Sequence, residues 1–258
     1  MSDILNFQTI QERTGIETFL FDKIDSTNSE AARQIRNENR IRGLVIANEQ
    51  TNGRGRTGHS FYSPSDTGIY MSYYFTPSEG LEGIETITAR TAVAVLDALQ
   101  KLYPETYKIK WVNDIYLNEY KVCGILTEAI TTGVNRGSVI IGIGINVRTT
   151  DYPDDIRHTA CSLPTSSATR NDLITQICLN LANICSNPYD NTYIEKYRKH
   201  SMLTGKFISY MENNTVRQAY VTGIDDRAGL LIKTSDGEQK VLRNGEVSLI
   251  RINPLKQA

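Results

Sequence analysis

Two arginines and three glycines alternate in the stretch Gly53-Arg54-Gly55-Arg56-Thr57-Gly58, shortly after the apolar run 44–47. Glycine lets backbone amides approach a ligand closely. Each guanidinium presents a planar fork of donors that suits a carboxylate or a phosphate. A solvated surface turn has the same composition. The stretch 53–58, called the Gly/Arg loop below, is therefore either an anion cradle or a mobile turn.

Further polar side chains stand at the ends of predicted strands and at a predicted helix start. They are Ser26, Thr27, Asn28, Gln50, Lys110, Asn113, Asp114, Lys121 and Asn146. The first three are either a plain helix N-terminus, with capping-box spacing from Thr27 to Glu30, or binding groups for the polar end of a ligand. Lys121 stands ahead of a strongly apolar run, and it is either a surface lysine or a cation at a pocket edge.

Asp114 is the candidate metal ligand. Together with Asn113 it suits a Mg²⁺ ion that phosphate oxygens also hold, because this ion usually takes few protein ligands. A simple Asn-Asp turn is the alternative. Two arginines, two lysines and one carboxylate in a single site would suit a polyanionic substrate such as a nucleoside triphosphate. The sequence contains no Walker A pattern, nucleophile elbow or kinase signature set.

The bulk composition argues against several classes of protein. The 258 residues carry a net charge of −1, so no global basic field attracts nucleic acid. No run approaches the roughly 20 apolar residues of a membrane span, and no signal peptide opens the chain. Four cysteines without a CxxC pair, and only three histidines, argue against a zinc site and fit free thiols in a reducing compartment. We therefore expect a cytoplasmic protein without a membrane partner.

The spacing of apolar residues predicts strands that end at these groups, and helices between them. In the predicted strand 138–147, glycines 142 and 144 leave one face bare, either for a flat ligand or for a close-packed neighbour. Residues 1–17 give no strong structural signal. Amphipathic helices are predicted over 83–102, after the capping pair Thr169 and Asp172, and over 189–197. Short β runs over 206–252 predict a small β-barrel, with a domain boundary near Leu203.

Six segments with polar or glycine residues follow one another along the chain. They are Asp25-Ser26-Thr27-Asn28, the Gly/Arg loop with Ser63-Pro64, Lys110-Trp111-Val112-Asn113-Asp114, Lys121 to Glu128, Gly142 to Asn146, and Gly245-Glu246-Val247-Ser248. One such segment is weakly specific, but six in order over about residues 19–251 are very specific. By these segments the chain resembles biotin protein ligase, also called biotin–[acetyl-CoA-carboxylase] ligase.

The resemblance implies a fold and a reaction. The expected catalytic domain, residues 1–202, is an α+β domain with a mixed sheet flanked by helices, of the class II synthetase-like, biotin–lipoyl ligase type. An SH3-like β-barrel is expected over 203–258. Biotin and MgATP would give biotinyl-5′-AMP, and biotin would then pass to a lysine of a biotin carboxyl carrier protein domain. ATP and Mg²⁺ are thus the expected cofactors, and both a monomer and a homodimer remain open.

The same resemblance implies a role for each polar group. The biotin-binding group comprises Ser26, Thr27, Asn28, Gln50, Arg54, Gly55, Arg56 and Lys121. The ATP-binding group comprises Arg56, His59, Phe61, Lys110, Asn113 and Asn146. The catalytic group comprises Lys121, Arg56 and Arg54, and Asp114 is on the metal side. We also expect the Gly/Arg loop to close over the acyl-adenylate and to become ordered with it.

Some features depart from the family pattern or leave alternatives. His59 and Phe61 stand where the family usually has arginine and tryptophan. Members that also act as repressors carry a winged-helix domain ahead of the Ser-Thr-Asn segment, and the roughly 25 residues here are too few for one. We therefore expect a monofunctional ligase that does not bind DNA. A lipoate or octanoate ligase is the alternative, and a nucleic-acid-binding module that uses the Gly/Arg loop is a distant one.

Overall fold

A computed structural model describes residues 3–77, 81, 84–132, 136–186 and 190–250. Its larger sheet has the strand order β1-β2-β3-β7-β6-β5-β4. These strands are β1 (Thr18–Ile24), β2 (Arg42–Gln50), β3 (Gly68–Phe75), β4 (Tyr107–Lys110), β5 (Asp114–Leu117), β6 (Tyr120–Thr132) and β7 (Arg136–Asn146). The β1–β2 pair is parallel and the other pairs are antiparallel, so the predicted mixed sheet is confirmed.

Helices cover both faces of this sheet. They are α1 (Phe7–Thr14), α2 (Thr27–Glu38), α3 (Ile87–Leu102), α4 (Arg170–Ser186) and α5 (Tyr193–Lys199). Successive residues of a strand point to opposite faces. In β2, Leu44 and Ile46 therefore join the main core with α3 and α4, whereas Val45 packs with Ala31 and Ile35 of α2. The helix α2 thus covers part of the second face.

The uncovered remainder of that second face holds the polar groups. Tyr74 and Ile140 lie under α2 with the smaller apolar cluster. Two residues along from Tyr74 in β3 stands Ser72, which is opposite Gly142 of β7. A cleft therefore opens on the same face where the apolar side chains of β3 and β7 give way to serine and glycine.

A second, antiparallel sheet follows α5, with the strand order β11-β10-β9-β8-β12. Its strands are β8 (Phe207–Glu212), β9 (Thr215–Ile224), β10 (Leu230–Thr234), β11 (Gln239–Leu242) and β12 (Val247–Leu249). This small C-terminal sheet fits the predicted SH3-like domain. The proposed boundary near Leu203 stays a prediction.

The two sheets are tied together at the β4–β5 turn. The indole nitrogen Nε1 of the buried Trp111 donates to the carbonyl of Ala228 at 2.8 Å. On the free edge of β4, the amide of Ile109 donates to His200 O at 2.8 Å, and the amide of Met202 donates to Ile109 O at 2.8 Å. The segment 200–202 therefore closes the edge of the larger sheet, and it positions the turn that carries Asn113.

Several predicted elements need correction. Residues 7–14 form α1 despite the lack of a strong sequence signal. The long helix begins at Ile87, after a 3₁₀ turn at Ile84–Thr86, and the third begins at Tyr193; residues 83 and 189 lie outside the described residues. The capping pair of α4 is confirmed, because the amide of Asp172 donates to Thr169 Oγ1 at 3.2 Å and the amide of Thr169 donates to Asp172 Oδ2 at 3.0 Å. None of the described helices combines the length and apolar character that a membrane crossing requires.

Candidate active site

A polar cleft of about 260 Å³ lies between the start of α2, the Gly/Arg loop, strands β6 and β7, and the turn before β12. Every predicted site residue except Asn146 lines it. The residues that it brings together are Ser26, Thr27, Asn28, Gln50, Arg54, Gly55, Arg56, His59, Phe61, Lys110, Asn113, Asp114 and Lys121. The fold thus collects polar groups from distant parts of the chain on one surface.

The start of α2 forms the neutral polar end of the cleft. Ser26 is the N-cap residue, and it makes no side-chain capping hydrogen bond. The predicted capping box of Thr27 and Glu30 is wrong, because the amide and Oγ1 of Thr27 donate to Gln50 Oε1 at 2.8 and 3.1 Å. The amide nitrogen Nε2 of Gln50 in turn donates to Ser63 Oγ at 2.9 Å. These contacts fix the two side chains that β2 and α2 present to a ligand.

Asn28 is held on both sides of its amide. Its Nδ2 donates to Glu128 Oε2 at 2.8 Å, and its Oδ1 accepts from Ser72 Oγ at 2.5 Å. A Cβ atom on Gly142 would stand 2.2 Å from Asn28 Oδ1, so only glycine at 142 leaves room for this side chain. Ser72 and Glu128 were absent from the predicted site. For Ser72 the only signal was one polar residue inside an apolar strand.

The Gly/Arg loop is folded into a tight hairpin. The amide of Phe61 donates to Gly53 O at 2.9 Å, and the amide of Gly55 donates to His59 O at 2.7 Å. A Cβ atom on Gly53 would stand 2.4 Å from Phe61 O, so the close approach of the two strands of this hairpin requires glycine. These hydrogen bonds give the loop a single defined conformation in this structure. Its ordering by a ligand stays a prediction.

Both arginines of the loop contact the protein across the cleft. Arg54 Nη2 lies 2.7 Å from Glu128 Oε1. Arg56 donates from Nη1 to Asn113 Oδ1 at 3.2 Å and from Nη2 to Gly245 O at 3.1 Å. Because each guanidinium has five N–H donors, these contacts leave donors for a bound anion.

A cationic cluster forms the opposite end of the cleft. Lys121 Nζ lies 2.7 Å from Asp114 Oδ1, although the angles are not those of a regular hydrogen bond, so this contact is an ion pair. Lys110 is the strand partner of Asp114 in the β4–β5 pair. Burial lowers the pKa of Lys110, and Asp114 opposes part of this shift. Lys121 pairs with Asp114 and Lys110 lies near the same carboxylate, so positive charge is in excess at this end.

Asp114 fits a metal ion only together with other ligands. Within the described ranges, no group of three or more His, Cys, Asp or Glu side chains could hold an ion. The Asp114 carboxylate is a hard oxygen donor, but the ammonium of Lys121 is its immediate neighbour. A Mg²⁺ ion here would need the negative charge of phosphate oxygens, which is the usual way in which this ion binds.

Side chains cover the predicted bare face of β7. A Cβ atom on Gly144 would stand 2.6 Å from the ring of Phe61, just as one on Gly142 would clash with Asn28. On the neighbouring strand, a Cβ on Gly124 would lie 3.1 Å from Lys121 Nζ. Of the two predicted alternatives, the close-packed neighbour is therefore the one found in this structure. These glycines leave room for the side chains of Asn28, Phe61 and Lys121 to approach the backbone of the sheet closely.

Asn146 lies outside the cleft. Its Nδ2 donates to Cys161 O at 3.3 Å, and its carbonyl accepts from the amide of Leu163 at 2.9 Å. The same segment pairs with the start of β6, because the amide of Lys121 donates to Thr159 O at 2.8 Å. This geometry gives Asn146 a place beside the segment 159–163, and it offers no support for direct contact with ATP.

The turn before β12 adds Glu246 to the cleft, a residue that the predicted site lacked. Thr57 Oγ1 donates to Glu246 Oε1 in a short contact, and His59 Nε2 lies 3.5 Å from the same oxygen. The hydrogen bond from Thr57 lowers the pKa of Glu246, and His59 acts in the same direction. The C-terminal sheet is thereby joined to the Gly/Arg loop.

Comparisons with known proteins agree with this architecture. Residues 20–146 match the model of the biotin/lipoate A/B protein ligase family. The bifunctional ligase/repressor BirA of Bacillus spizizenii is 32% identical over 240 residues, which are 86% of this chain and 71% of that protein. The biotin–[acetyl-CoA-carboxylase] ligase of Paracoccus denitrificans is 33% identical over 132 residues, 48% of this chain and 52% of that one.

A solved structure shows the same fold. The biotin protein ligase from Aquifex aeolicus, in complex with biotin and ATP, superposes with a TM-score of 0.74 at 24% identity, over 92% of this chain and 99% of that one. The sequence relatives share the family and this structure shares the fold. The chain therefore belongs to the biotin protein ligase family.

Proposed function

We propose that this protein is a ligase that activates biotin with ATP to biotinyl-5′-AMP and transfers biotin to a lysine of a biotin carboxyl carrier protein domain. A biotin–[acetyl-CoA-carboxylase] ligase is among its relatives, and a biotin protein ligase in complex with biotin and ATP shares its fold. The observation that carries the proposal is one cleft with a neutral polar end and a cationic end, spanned by the Gly/Arg loop. A neutral ureido ring suits the first end and a triphosphate suits the second.

The neutral end would hold the biotin head. Thr27, Asn28 and Gln50 are fixed by hydrogen bonds to other protein groups, so they meet the ureido ring in a set geometry. Ser26 lies beside them at the start of α2. Preorganised polar groups of this kind reduce the entropy cost of binding. The position of this neutral end sets where the biotin carboxylate would meet the cationic end of the cleft.

The cationic end would activate that carboxylate. Attack of a carboxylate on the α-phosphate of ATP brings like charges together, and positive groups in a dehydrated site offset this repulsion. Lys121 and Arg56 are placed for that role, with Arg54 and Gly55 above the bound ligand. Asp114 would hold Mg²⁺, which supplies charge neutralisation on the phosphates when it is bound.

The remaining predicted groups surround the nucleotide. Lys110 adds positive charge beside Asp114, and Asn113 accepts from Arg56 and so orients it. His59 and Phe61 follow the loop and line the cleft. In this proposal Phe61 offers its ring to the adenine and His59 offers a weaker cation than arginine. Asn146 acts only through the segment 159–163.

The lipoate alternative is not favoured. A dithiolane ring offers no donors or acceptors of the amide kind, so it would displace water from the polar groups at this end of the cleft without replacing the hydrogen bonds of that water. Unpaired buried polar groups of this kind reject a ligand strongly. The nucleic-acid alternative is weakened because Arg54 and Arg56 line a small cleft and the chain carries a net charge of only −1.

We also propose a cellular location and a division into domains for this protein. A cytoplasmic location is supported by four free cysteines, Cys123, Cys161, Cys178 and Cys185. The division into residues 1–202 and 203–258 is supported by the two separate sheets. A monomer and a homodimer are both compatible with the contacts described above.

The proposal predicts biotin transfer to a carrier domain. The protein, MgATP, biotin and a purified biotin carboxyl carrier domain should yield a carrier with the mass increment of one biotinyl group. The same reaction with lipoate, or with the carrier's acceptor lysine changed to arginine, should give no increment. An increment with lipoate and none with biotin, read by intact-mass spectrometry, would show that the neutral polar end of the cleft does not bind the biotin head.

A further inference from the structure

Glu128 contacts the Gly/Arg loop through Arg54, and it contacts Asn28 at the neutral end of the cleft. The residues Thr27, Asn28 and Gln50 at that end are called the head pocket below. Glu128 Oε1 lies 2.7 Å from Arg54 Nη2, and its Oε2 accepts from Asn28 Nδ2 at 2.8 Å. Only 26% of its side chain is exposed. We propose that Glu128 is a positioning residue that orients Asn28 for the biotin head and holds the Gly/Arg loop over it. This inference rests on the proposed function for the identity of the ligand alone.

The orientation of Asn28 depends on this carboxylate. An amide can present its oxygen or its nitrogen, but an ionised carboxylate only accepts hydrogen bonds. Glu128 therefore requires the NH₂ group of Asn28 on its side, which turns Oδ1 toward the donor Ser72 Oγ. The carbonyl of Leu126 reinforces this, because Asn28 Nδ2 also points to it at 3.4 Å. Without Glu128, only weaker neutral contacts fix the amide.

The position of Arg54 depends on the same carboxylate. Bonds between ionised partners are shorter and stronger than neutral ones. The guanidinium is 44% exposed. In the described part of the chain, the ion pair to Glu128 is the only polar contact of the Arg54 side chain. The loop is thus fastened to β6 at one point on this side.

A chain of hydrogen bonds extends the effect around the cleft. Beyond Asn28, Ser72 Oγ also approaches Thr27 Oγ1 at 2.7 Å. Thr27 donates to Gln50, and Gln50 donates to Ser63. Ser63 Oγ then donates to Phe61 O at 2.9 Å, on the far side of the loop. The hairpin is therefore joined to the head pocket on both sides. Ser63 makes one connection through Phe61, and Glu128 makes the other through Arg54.

The test compares two substitutions with a matched control. Glu128→Ala removes both contacts, and Glu128→Gln keeps one acceptor without the charge. Glu212→Gln is the control, because Glu212 likewise pairs with a cationic side chain and is similarly exposed. Its partner is Lys240 at 3.0 Å, 32% of its side chain is exposed, and it lies in the C-terminal sheet. Two quantities are measured: amide hydrogen exchange of residues 53–60 in the free protein, and the biotin Kd by calorimetry without ATP.

In Glu128→Ala, exchange in the loop should be about tenfold faster and the biotin Kd about tenfold or more higher, since charged hydrogen bonds are lost. Glu128→Gln should be intermediate, and Glu212→Gln should match the wild type. The KM for ATP should change less than about twofold in all variants. Glutamine at 128 can still accept from Asn28, but it cannot form an ion pair with Arg54. Partial recovery of biotin affinity in Glu128→Gln therefore measures the positioning of Asn28 separately from the ion pair to Arg54.

Two results would overturn this role for Glu128. One is loop exchange and biotin affinity within about twofold of the wild type in Glu128→Ala. The other is an equal loss of protection throughout the core strands β3 and β7, which would indicate general destabilisation. If the wild-type protein binds no biotin, the proposed function fails. The exchange comparison needs no ligand and still decides whether Glu128 fastens the loop.

Discussion

Lys121→Met is expected to slow formation of the adenylate by about 100- to 1,000-fold, with biotin affinity changed by less than about threefold. Methionine keeps most of the apolar side chain, which lies over Gly124, and removes the ammonium. That ammonium stands 2.7 Å from Asp114 at the cationic end of the cleft. Its removal leaves the carboxylate of biotin and the phosphates with one positive charge fewer at the point where they meet.

The measurement is single-turnover release of pyrophosphate with saturating biotin and MgATP. Lys101→Met serves as the control, because Lys101 pairs with Gln176 at 2.7 Å on the far side of the protein. Lys121→Arg keeps the charge in another shape and should recover part of the rate. A rate for Lys121→Met within about threefold of the wild type would remove Lys121 from the catalytic group.

Gly142→Ala is expected to weaken biotin binding by about 100-fold. The added Cβ would stand 2.2 Å from Asn28 Oδ1 and 2.8 Å from its Cγ. Asn28 cannot simply withdraw, because Ser72 and Glu128 hold the two sides of its amide. Overpacking costs about 1–3 kcal/mol, and each hydrogen bond lost in relieving it adds about 1 kcal/mol.

The biotin Kd of this variant is measured by calorimetry, beside its unfolding midpoint. Gly223→Ala is a suitable control, since a Cβ atom there would meet only Leu231 at 3.9 Å. The control should bind biotin as the wild type does. Biotin affinity of Gly142→Ala within about threefold of the wild type would mean that Asn28 does not contact the ligand.

Local patterns were enough to predict the elements that place the site. The apolar runs of β2 and β7 end at Gln50 and Asn146, and this pattern predicted polar groups at the ends of strands. The capping pair Thr169 and Asp172 lies within one helical turn, so its geometry was readable from spacing alone. Such features depend on neighbours in sequence, which is why they could be inferred without a structure.

Tertiary contacts overrode the same rules elsewhere. Thr27 and Glu30 have capping-box spacing, but Gln50 takes the hydrogen-bonding groups of Thr27, and Glu30 pairs with Arg33 at 2.7 Å. The helix α1 lacks a clear apolar periodicity and buries only Ile10. Its cap residues, Asn6 and Gly15, were the usable signal, since Gly15 takes a φ of 66°.

The residues that the sequence did not reveal act over long separations. Glu128 contacts Asn28 from 100 positions away, and Ser72 contacts it from 44. A single sequence shows that such residues are polar, but it does not show which partner they meet. Asn146 is the opposite case. It belongs to a segment that the resemblance identified and was predicted to bind ATP, but it lies outside the cleft and contacts the segment 159–163.

The proposed function requires that this cleft join biotin to AMP. The most direct measurement mixes the protein with biotin and MgATP in the absence of any carrier, then denatures it and identifies the released ligand by mass spectrometry. The proposed function predicts biotinyl-5′-AMP in close to one equivalent per protein, and about 100- to 1,000-fold slower formation of it in Lys121→Met. Biotin recovered unchanged from a protein that binds both substrates, or an adenylate formed only with lipoate, would contradict the proposed function.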